Sequence, residues 1–241
     1  MSAPPPTTYA EALRHAHAVL RAGRAVTAER LLRALAGQFP GDVNCLWLLG
    51  VALLDQDKIP ESIATLEAVL GGAPDFANAR VDLARAYRRS GQASRAREEV
   101  RRVLEKTPHH HLAWLAYADA LVDLGQYADA RVAFERAQLC DPQRQQVTQA
   151  TAALVADDRE TSERIFRDIL RVDPSHVAAL CGLAALSLAA DKPDDAERLL
   201  RHALKQSAYI PLAWRGLGQV LMALGRLAEA EAAARAKVAV H

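Results

Sequence analysis

Residues 111–144, HLAWLAYADALVDLGQYADARVAFERAQLCDPQR, contain the pattern that decides the fold. Apolar side chains recur at helical spacing from Trp114 onward, and a second helical pattern surrounds Phe134. Gly125 lies between the two patterns, and glycine permits the positive φ at which helices commonly end. Pro142 follows the second pattern and stops that helix, because proline has no backbone N–H to donate. The stretch therefore predicts two helices joined by a tight turn.

This pattern recurs along the chain with a period of 34 residues. Prolines mark the ends of the repeats at Pro40, Pro74, Pro108, Pro142 and Pro174, the last interval being 32 residues. A small residue recurs in step at Ala28, Ser62, Ala96, Ala130, Ser162, Ala196 and Ala230. A turn residue stands five positions before each small one, at Gly23, Asp57, Gly91, Gly125, Asp157, Asp191 and Gly225. A fixed period of this length is typical of repeat architectures, in which each hairpin packs on the next.

The residues that recur in this period resemble the signature of the tetratricopeptide repeat family. In residues 111–144 they are Trp114, Tyr117, Ala118, Leu121, Gly125, Tyr127, Ala130, Phe134, Ala137 and Pro142. After an extended lead-in at residues 1–8, we predict seven repeats, at residues 9–42, 43–76, 77–110, 111–144, 145–176, 177–210 and 211–241. The resemblance implies an all-α fold, a right-handed α-α superhelix or solenoid, whose concave groove is lined by the first helix of each repeat.

Three places depart from the regular pattern or mark its ends. Thr8 and Glu11 form a capping-box pattern, which predicts that the first helix begins beside them. The fifth repeat is two residues short, and its first helix, around Gln145 to Ala156, lacks the large signature residues, which predicts a local bend. The last repeat stops at His241 without a polar capping helix. We interpret the chain as an array cut from a longer protein; the alternative is an end that caps itself or dimerises.

Composition narrows the classes of partner. The 241 residues include 30 Lys and Arg against 29 Asp and Glu, a formal net charge of +1, so no global field exists to attract nucleic acid or an anionic membrane. No apolar run is long enough to span a bilayer. Cys45, Cys140 and Cys181 show no C-x-x-C spacing, which argues against a disulfide framework and a zinc site. Buried free thiols suit a reducing compartment, and we predict a cytoplasmic protein.

The sequence contains no motif for catalysis. It has no Gly-rich phosphate loop, no H-E-x-x-H, no G-x-S-x-G and no strand pattern that would support a cofactor fold. Asp157, Asp158 and Glu160 are acidic neighbours, but a turn between exposed helices offers little of the enclosure that shifts carboxyl pKa values. We therefore predict no catalytic residue, no metal ligand and no cofactor.

The first functional hypothesis is a non-enzymatic scaffold that binds a peptide or protein segment. The resemblance implies that the second, fifth, ninth and twelfth residues of each repeat face the concave groove. The candidate partner-binding residues at these positions are Asn44, Trp47, Asn78, Arg85, Arg88, Asp119, Arg215 and Gln219. Their mixture of apolar and polar groups is typical of a peptide-binding channel.

Two of these assignments have structural alternatives. Trp47 is either an aromatic anchor for a peptide or a side chain that packs against a neighbouring first helix, and we favour packing. The basic cluster that includes Arg85 could hold an acidic peptide. The alternative, which we favour, is salt bridging between repeats, because Arg85 and Asp119, like Arg89 and Asp123, stand one period apart.

The run His109-His110-His111 at a repeat junction also allows two interpretations. Imidazoles can coordinate zinc or nickel. Three adjacent histidines on a helix cannot all face one ion, however, so we favour a solvated loop.

Two other functional hypotheses remain. Residues 179–186 and 213–218 are similar to repeats that precede bacterial sulfotransferase domains. That similarity implies a substrate-recruiting region of a larger bacterial enzyme, such as a sulfotransferase, glycosyltransferase or hydroxylase. The third hypothesis is self-association through an exposed C-terminal repeat.

Overall fold

The computed structural model describes residues 8–206 and 210–239. In this part of the chain every regular element is a helix and no strand occurs, which confirms the all-α prediction. The helices are α1 (Tyr9–Arg21), α2 (Ala25–Gln38), α3 (Val43–Asp55), α4 (Ile59–Gly72), α5 (Ala77–Arg89), α6 (Ala93–Lys106), α7 (His111–Asp123), α8 (Tyr127–Cys140), α9 (Arg144–Val155), α10 (Arg159–Val172), α11 (Val177–Ala189), α12 (Pro193–Gln206), α13 (Pro211–Ala223) and α14 (Leu227–Ala239).

Each odd-numbered helix packs against the helix that follows it, and the pair forms a hairpin. The turns have the backbone that the sequence predicts. Gly23, Asp57, Gly91, Gly125, Asp157, Asp191 and Gly225 all have positive φ, between 56° and 77°. Glycine meets no steric penalty there, and aspartate tolerates this region because its short polar side chain can bond locally.

The first helix begins as predicted, with Thr8 as its N-cap. The backbone N–H of Glu11 donates to the Thr8 hydroxyl at 3.3 Å, and the Glu11 carboxylate accepts from the Thr8 N–H at 3.0 Å. This reciprocal pair satisfies two backbone donors that a helix N-terminus otherwise leaves without partners. The rest of the predicted lead-in, residues 1–7, lies outside the described residues.

The recurring small residues let the two helices of a hairpin approach closely. Ala28, Ser62, Ala96, Ala130, Ser162 and Ala196 are 0% exposed. Large side chains of second helices fill the space over glycines of first helices. A Cβ added to Gly182 would lie 2.3 Å from the ring of Phe166, and one added to Gly50 would lie 2.7 Å from Leu66. The first contact joins α10 to α11, from one hairpin to the next, and the second joins α3 to α4 within one hairpin. Ridge-and-groove packing therefore operates both between and within hairpins.

The chain divides into two compact units, Met1–Pro108 (unit 1) and His109–His241 (unit 2). Unit 1 contains α1 to α6, and its first helices touch in order, α1 on α3 and α3 on α5. Unit 2 contains α7 to α14, and there α9 touches α11 and α11 touches α13. Successive hairpins within a unit therefore pack as a helical repeat array requires. The repeat boundaries remain predictions.

The same four-residue ion network joins second helices in both units. In unit 1, Glu29 bonds to Arg33 at 2.9 Å and to Lys58 at 2.7 Å, and Arg33 reaches Glu61 at 2.7 Å. The counterparts in unit 2, each 168 positions later, are Glu197, Arg201, Arg226 and Glu229. The hydrogen bond from Lys58, supported by those from Arg33 and Gln56, lowers the pKa of Glu29 to about 2.

The fifth hairpin is the least regular of those described. In α9 only Ala150 is fully buried, and Val155 at its end is 84% exposed. A polar contact outside α9 links the fourth hairpin to the sixth. His176, the N-cap of α11, places its Nε2 3.0 Å from a carboxylate oxygen of Asp141, the C-cap of α8. The predicted bend at this repeat remains a prediction.

Candidate functional site

The site described here lies on one face of unit 1, formed by α1, α3 and α5, which we call the first-helix face. It holds five of the eight predicted partner-binding residues. Asn44 and Trp47 lie on α3, and Asn78, Arg85 and Arg88 lie on α5. Both asparagines are exposed, and the other three side chains are half-buried. Asn44 and Trp47 are three residues apart, so they are neighbours on the helix surface.

Trp47 is held in place from several sides. Its indole N–H donates to the Asp82 carboxylate on α5 at 2.8 Å. Its ring centroid lies 5.2 Å from that of Phe76, with the planes tilted by 57°, and 6.5 Å from that of His17, at 61°. These contacts confirm that Trp47 packs against the neighbouring first helix. A role for its remaining surface in binding stays a prediction. We call His17, Trp47 and Phe76 the aromatic strip.

Asp82 is the functional candidate that the sequence analysis missed. The residue is 9% exposed, and its carboxylate joins the Trp47 indole to the Arg85 guanidinium, whose Nη1 lies 3.3 Å away. Asp82 is the sixth residue of its predicted repeat, whereas the fifth is the position expected to face the groove. Periodicity alone therefore did not place Asp82 in the site. The available signal was its spacing of 35 residues from Trp47, which is one period plus one.

Arg89 takes part in bridging between repeats, through two acceptors of the preceding repeat. Its Nη2 lies 2.7 Å from the Asp57 carboxylate and its Nη1 donates to the Leu54 carbonyl at 2.5 Å. Both acceptors belong to the preceding hairpin. The pairings of Arg85 with Asp119 and of Arg89 with Asp123 stay predictions.

The remaining predicted partner-binding residues belong to unit 2. Asp119 on α7 is only 1% exposed, which leaves it almost no surface for a partner to touch. Arg215 and Gln219 are exposed and lie one turn apart on α13. Among the described residues, unit 1 alone has an aromatic ring, amides and guanidinium groups from the predicted partner-binding set on one face.

The charge around the aromatic strip is set by a few groups. Partial burial, followed by the nearby charge of Arg21, lowers the pKa of His17. His17 is therefore neutral near pH 7 and adds a ring to the strip without adding charge. The guanidinium of Arg85 and the carboxylate of Asp82 meet as an ion pair beside Trp47.

The histidine run in unit 2 has structural roles. His110 caps α7, since its Nδ1 accepts from the Ala113 N–H at 3.2 Å. The Nδ1 of His111 lies 2.8 Å from the Ala137 carbonyl, and its ring stacks on His176 at 6.3 Å. The solvated-loop interpretation is therefore wrong for these two residues and describes only the exposed His109. Across residues 8–206 and 210–239, no group of three or more His, Cys, Asp or Glu side chains is placed to hold a metal ion.

The three cysteines are free thiols, with Cys45 and Cys181 buried and Cys140 half-buried. Burial raises the pKa of Cys45 to about 11 and that of Cys181 to about 12. Within the described ranges, none of the helices has the length and apolar character needed to cross a bilayer.

A sequence profile of the tetratricopeptide repeat matches residues 13–77, 81–144 and 181–239, well over half of the chain. Among known proteins, human tetratricopeptide repeat protein 7B is 27% identical over 119 residues, which are 48% of this chain and 14% of that protein. The chain thus spans only a small part of that human protein's length.

Two solved structures are similar over nearly the whole chain. A tetratricopeptide repeat protein from Parabacteroides merdae is 20% identical with a TM-score of 0.47, and the match covers 97% of this chain and 93% of that protein. The crystal structure of the APC/C hetero-tetramer Cut9–Hcn1 matches at 15% identity with a TM-score of 0.50, over 98% of this chain and 47% of the matched chain. At 15% identity the likeness to the second of these structures shows the fold alone.

Proposed function

This chain belongs to the tetratricopeptide repeat family, and from that premise we propose that it is a non-catalytic scaffold that binds a peptide or protein segment on the first-helix face of unit 1. Proteins of this family generally mediate protein–protein interaction. The observation that carries the proposal is the arrangement of Trp47, whose half-buried ring is fixed by Asp82 next to the charged group of Arg85.

A fixed aromatic ring suits recognition because little conformational freedom is lost when a partner covers it. Side chains that are already ordered lower the entropic cost of association. Trp and Arg are also the residues most enriched among binding hot spots. The exposed amide of Asn44 can donate to and accept from a main chain that crosses the helices. The face thus combines an apolar anchor with polar groups for an extended segment.

The test is selection of peptides from a random library on the full chain, followed by affinity measurement with variants. Trp47→Ala removes the anchor, and we expect it to weaken the selected peptides by about 30-fold, the loss of a typical hot spot. Arg167→Ala is the matched control, since that side chain is exposed on α10 and pairs only locally with Glu163. Helicity measured by circular dichroism should be the same in both variants.

Two outcomes would contradict the proposal. If the selected peptides bind Trp47→Ala as tightly as the unmodified chain, the first-helix face of unit 1 is not the binding surface. If Arg215→Ala on α13 abolishes binding instead, the surface lies on unit 2.

We also propose self-association through the last hairpin, because exposed apolar side chains gather there. Leu212 and Met222 on α13 and Leu227 on α14 are all more than half exposed. Sedimentation of the full chain over a hundredfold concentration range tests the proposal. A concentration-dependent dimer that Leu227→Glu abolishes supports it, and a monomer at every concentration refutes it. The enzyme-associated hypothesis stays a prediction.

A further inference from the structure

We propose that α9 is a releasable helix and that, when it opens, a helix of a partner protein takes its place on α10 and α11. This surface lies on unit 2, whereas the peptide-binding face of the proposed function lies on unit 1. The partner helix is amphipathic, and its apolar side has two large residues with a small residue between them.

α9 buries less of itself than α11, the next first helix. Ala150 is its one buried residue. The buried residues of α11 are Ala179, Leu180, Cys181, Ala184 and Leu186. Segments with few buried apolar contacts open at a low cost in free energy. A helix of 12 residues is also marginal on its own in water, so α9 unfolds when it leaves the surface.

The sequence of α9 also weakens it as a helix. Thr148 and Thr151 are exposed, and their hydroxyls donate to the carbonyls of Arg144 and Val147 at 2.9 Å and 2.8 Å. Such bonds to the preceding turn, together with the branched Cβ of threonine, lower the stability of a helix. The N-cap, Gln143, makes no side-chain hydrogen bond to the first turn. α9 therefore has neither a side-chain cap nor a high helix propensity.

The surface beneath α9 is apolar. Its buried side chains, which we call the α10–α11 surface, are Ile165, Phe166 and Ile169 of α10 with Ala179 and Leu186 of α11. α9 adds Ala150 to this core and packs the half-buried Val147 and Leu154 against it. These residues of α9 are three and four positions apart, so they lie on one side of the helix. Release of α9 uncovers the kind of apolar surface on which amphipathic helices dock.

A buried hydroxyl shows that α9 fits this surface imperfectly. Ser62, the small residue of the second hairpin, donates from Oγ to the Gly50 carbonyl of α3 at 2.8 Å. Ser162 is its counterpart in the fifth hairpin, and Ala150 has the place of Gly50. Ser162 is 0% exposed, yet its Oγ has no hydrogen-bond partner across the described residues. Because water reaches this hydroxyl when α9 opens, the burial lowers the cost of opening.

The same geometry specifies the residues of the replacement helix. The residue 12 positions before each recurring small residue is itself small: Ala16, Gly50, Ala84, Ala118, Ala150, Ala184 and Gly218. The two helices of a hairpin approach closely there, so a large side chain at that place is excluded. Val147 and Leu154 are only half-buried, and larger apolar side chains at their positions cover more of the α10–α11 surface. The partner helix therefore has a large residue, a small one three positions later, and a large one four positions after that.

The test measures binding of three labelled peptides to the full chain by fluorescence anisotropy. All are helices of alanine, glutamate and lysine, about 20 residues long, that differ at three positions spaced as Val147, Ala150 and Leu154 are. The first peptide has leucine, alanine and leucine there, the second has three leucines, and the third has three alanines. We expect the first to bind at least about tenfold more tightly than each of the others. Equal or tighter binding of either one overturns the inference.

Variants on the exposed side of α9 change its release without changing the α10–α11 surface. Thr148→Ala combined with Thr151→Ala raises helix propensity, and we expect deuterium exchange of the α9 amides to slow about fivefold. The first peptide should then bind about fivefold more weakly, because its apparent affinity scales with the open fraction. Thr148→Gly combined with Thr151→Gly should speed exchange and tighten binding, each about threefold.

Ala185→Gly on the exposed side of α11 is the matched control, since it weakens a different helix and should not tighten binding. Exchange is followed by mass spectrometry of the full chain. If the α9 amides of the unmodified chain are as protected as those of α11, the inference is wrong. It is also wrong if the alanine and glycine variants of α9 bind the first peptide equally well.

The two serines form a second matched pair. Ser162→Ala removes a buried hydroxyl that lacks a partner, so we expect slower exchange of the α9 amides. Ser62→Ala removes the donor to Gly50, so we expect faster exchange of the α3 amides. Faster exchange of α9 in Ser162→Ala would show that this hydroxyl holds α9 in place, against the inference.

Trp47→Ala distinguishes this surface from the first-helix face of unit 1. We expect the variant to bind the first helical peptide as tightly as the unmodified chain does. If Trp47→Ala weakens that peptide, the peptide occupies the first-helix face, and the inference is wrong while the proposed function stands.

Discussion

The fifth and seventh hairpins of the chain, which both lie in unit 2, have the same turn geometry but pack very differently. Asp157 and Gly225 both adopt positive φ in the turn. In the seventh hairpin, Leu217 on α13 is 4% exposed and belongs to the core that α11 to α14 share. The equivalent residue of the fifth hairpin, 13 positions before the small residue, is the exposed Gln149. Turn and small residues thus specify a hairpin, while large residues on its first helix specify how it packs on the previous one.

Beside the fifth hairpin, a buried polar contact links the fourth hairpin to the sixth. His176 is 4% exposed; its Nε2 lies 3.0 Å from a carboxylate oxygen of Asp141, and its Nδ1 accepts from the Ala179 N–H at 3.3 Å. Burial alone would raise the pKa of Asp141. Its hydrogen bonds with His176 and the Gln143 N–H outweigh burial and hold that pKa below its usual value.

The largest effect should come from truncating a large buried side chain where the seventh hairpin packs on the sixth. Leu217→Ala removes a buried side chain and leaves a cavity, so we expect the free energy of unfolding to fall by about 2–5 kcal/mol. The matched change in the fifth hairpin, Gln149→Ala, should alter it by less than about 0.5 kcal/mol, because the side chain is exposed. Urea unfolding followed by circular dichroism measures both. If the two variants lost similar amounts of unfolding free energy, the packing of the fifth and seventh hairpins would not differ as described.

The contact between His176 and Asp141 should give the next largest effect. Asp141→Ala leaves a buried imidazole N–H without its acceptor, and we expect a loss of about 1.5–3 kcal/mol of unfolding free energy at pH 7.

The pH dependence of the same variant sharpens this prediction. Since folding depresses the pKa of Asp141, its stabilisation is complete above the unfolded value of 3.8 and is lost as pH falls through the lower folded value. The gap between the unmodified chain and Asp141→Ala should therefore close in acid. A gap that is constant from pH 7 down to about pH 3 would contradict the ionised contact.

A smaller effect is expected from adding a methyl group to a glycine that lies against a large side chain. Gly182→Ala places a methyl group against the ring of Phe166, so we expect a loss of about 1–3 kcal/mol from overpacking. Gly218→Ala is the control, because its nearest neighbour would be a backbone oxygen at 3.9 Å. There the gain in helix propensity should stabilise the chain by up to about 1 kcal/mol. Thermal melts that move in the same direction for both variants would contradict this account.

The smallest effect concerns the ion network between second helices. Arg201→Ala removes contacts with the exposed Glu229 and with the half-buried Glu197, which keeps Arg226 as a partner. Ion pairs with an exposed arginine stabilise proteins weakly. The small difference in Tm between this variant and the unmodified chain should shrink as salt rises from about 0.05 to about 0.5 M, because salt screens exposed charges. A difference that grows with salt would indicate that Arg201 acts through packing.

Local signals made much of the fold predictable. The period of 34 residues gave the hairpins, glycine or aspartate gave each turn, and Thr8 with Glu11 gave the first cap. The turns and the cap depend on residues a few positions apart, whose geometry follows from backbone sterics and nearby hydrogen bonds, and the period repeats this local pattern along the chain. The chain could therefore be assigned a helical repeat fold without coordinates.

The contacts of the site could be predicted only in part. Periodicity placed Trp47 and Arg85 on neighbouring first helices but did not show that Asp82 joins them. Likewise, nothing local connects Asp141 to His176, 35 residues later. Such contacts depend on side-chain rotamers and on the exact offset between packed helices. If one helix shifts by one residue along the other, a side chain meets a different partner. The sequence period continues across residue 108, where the structure divides into two compact units.

The cysteines have a practical consequence for experiments on this chain. Thiol reagents attack the thiolate, and burial keeps the Cys45 and Cys181 thiols protonated and covered at neutral pH. Cys140, half-buried at the end of α8, should react with maleimides well before the other two. A single fluorophore can thus be attached to the fourth hairpin of the natural sequence, without mutagenesis, next to the junction where regular packing gives way to a buried histidine and aspartate.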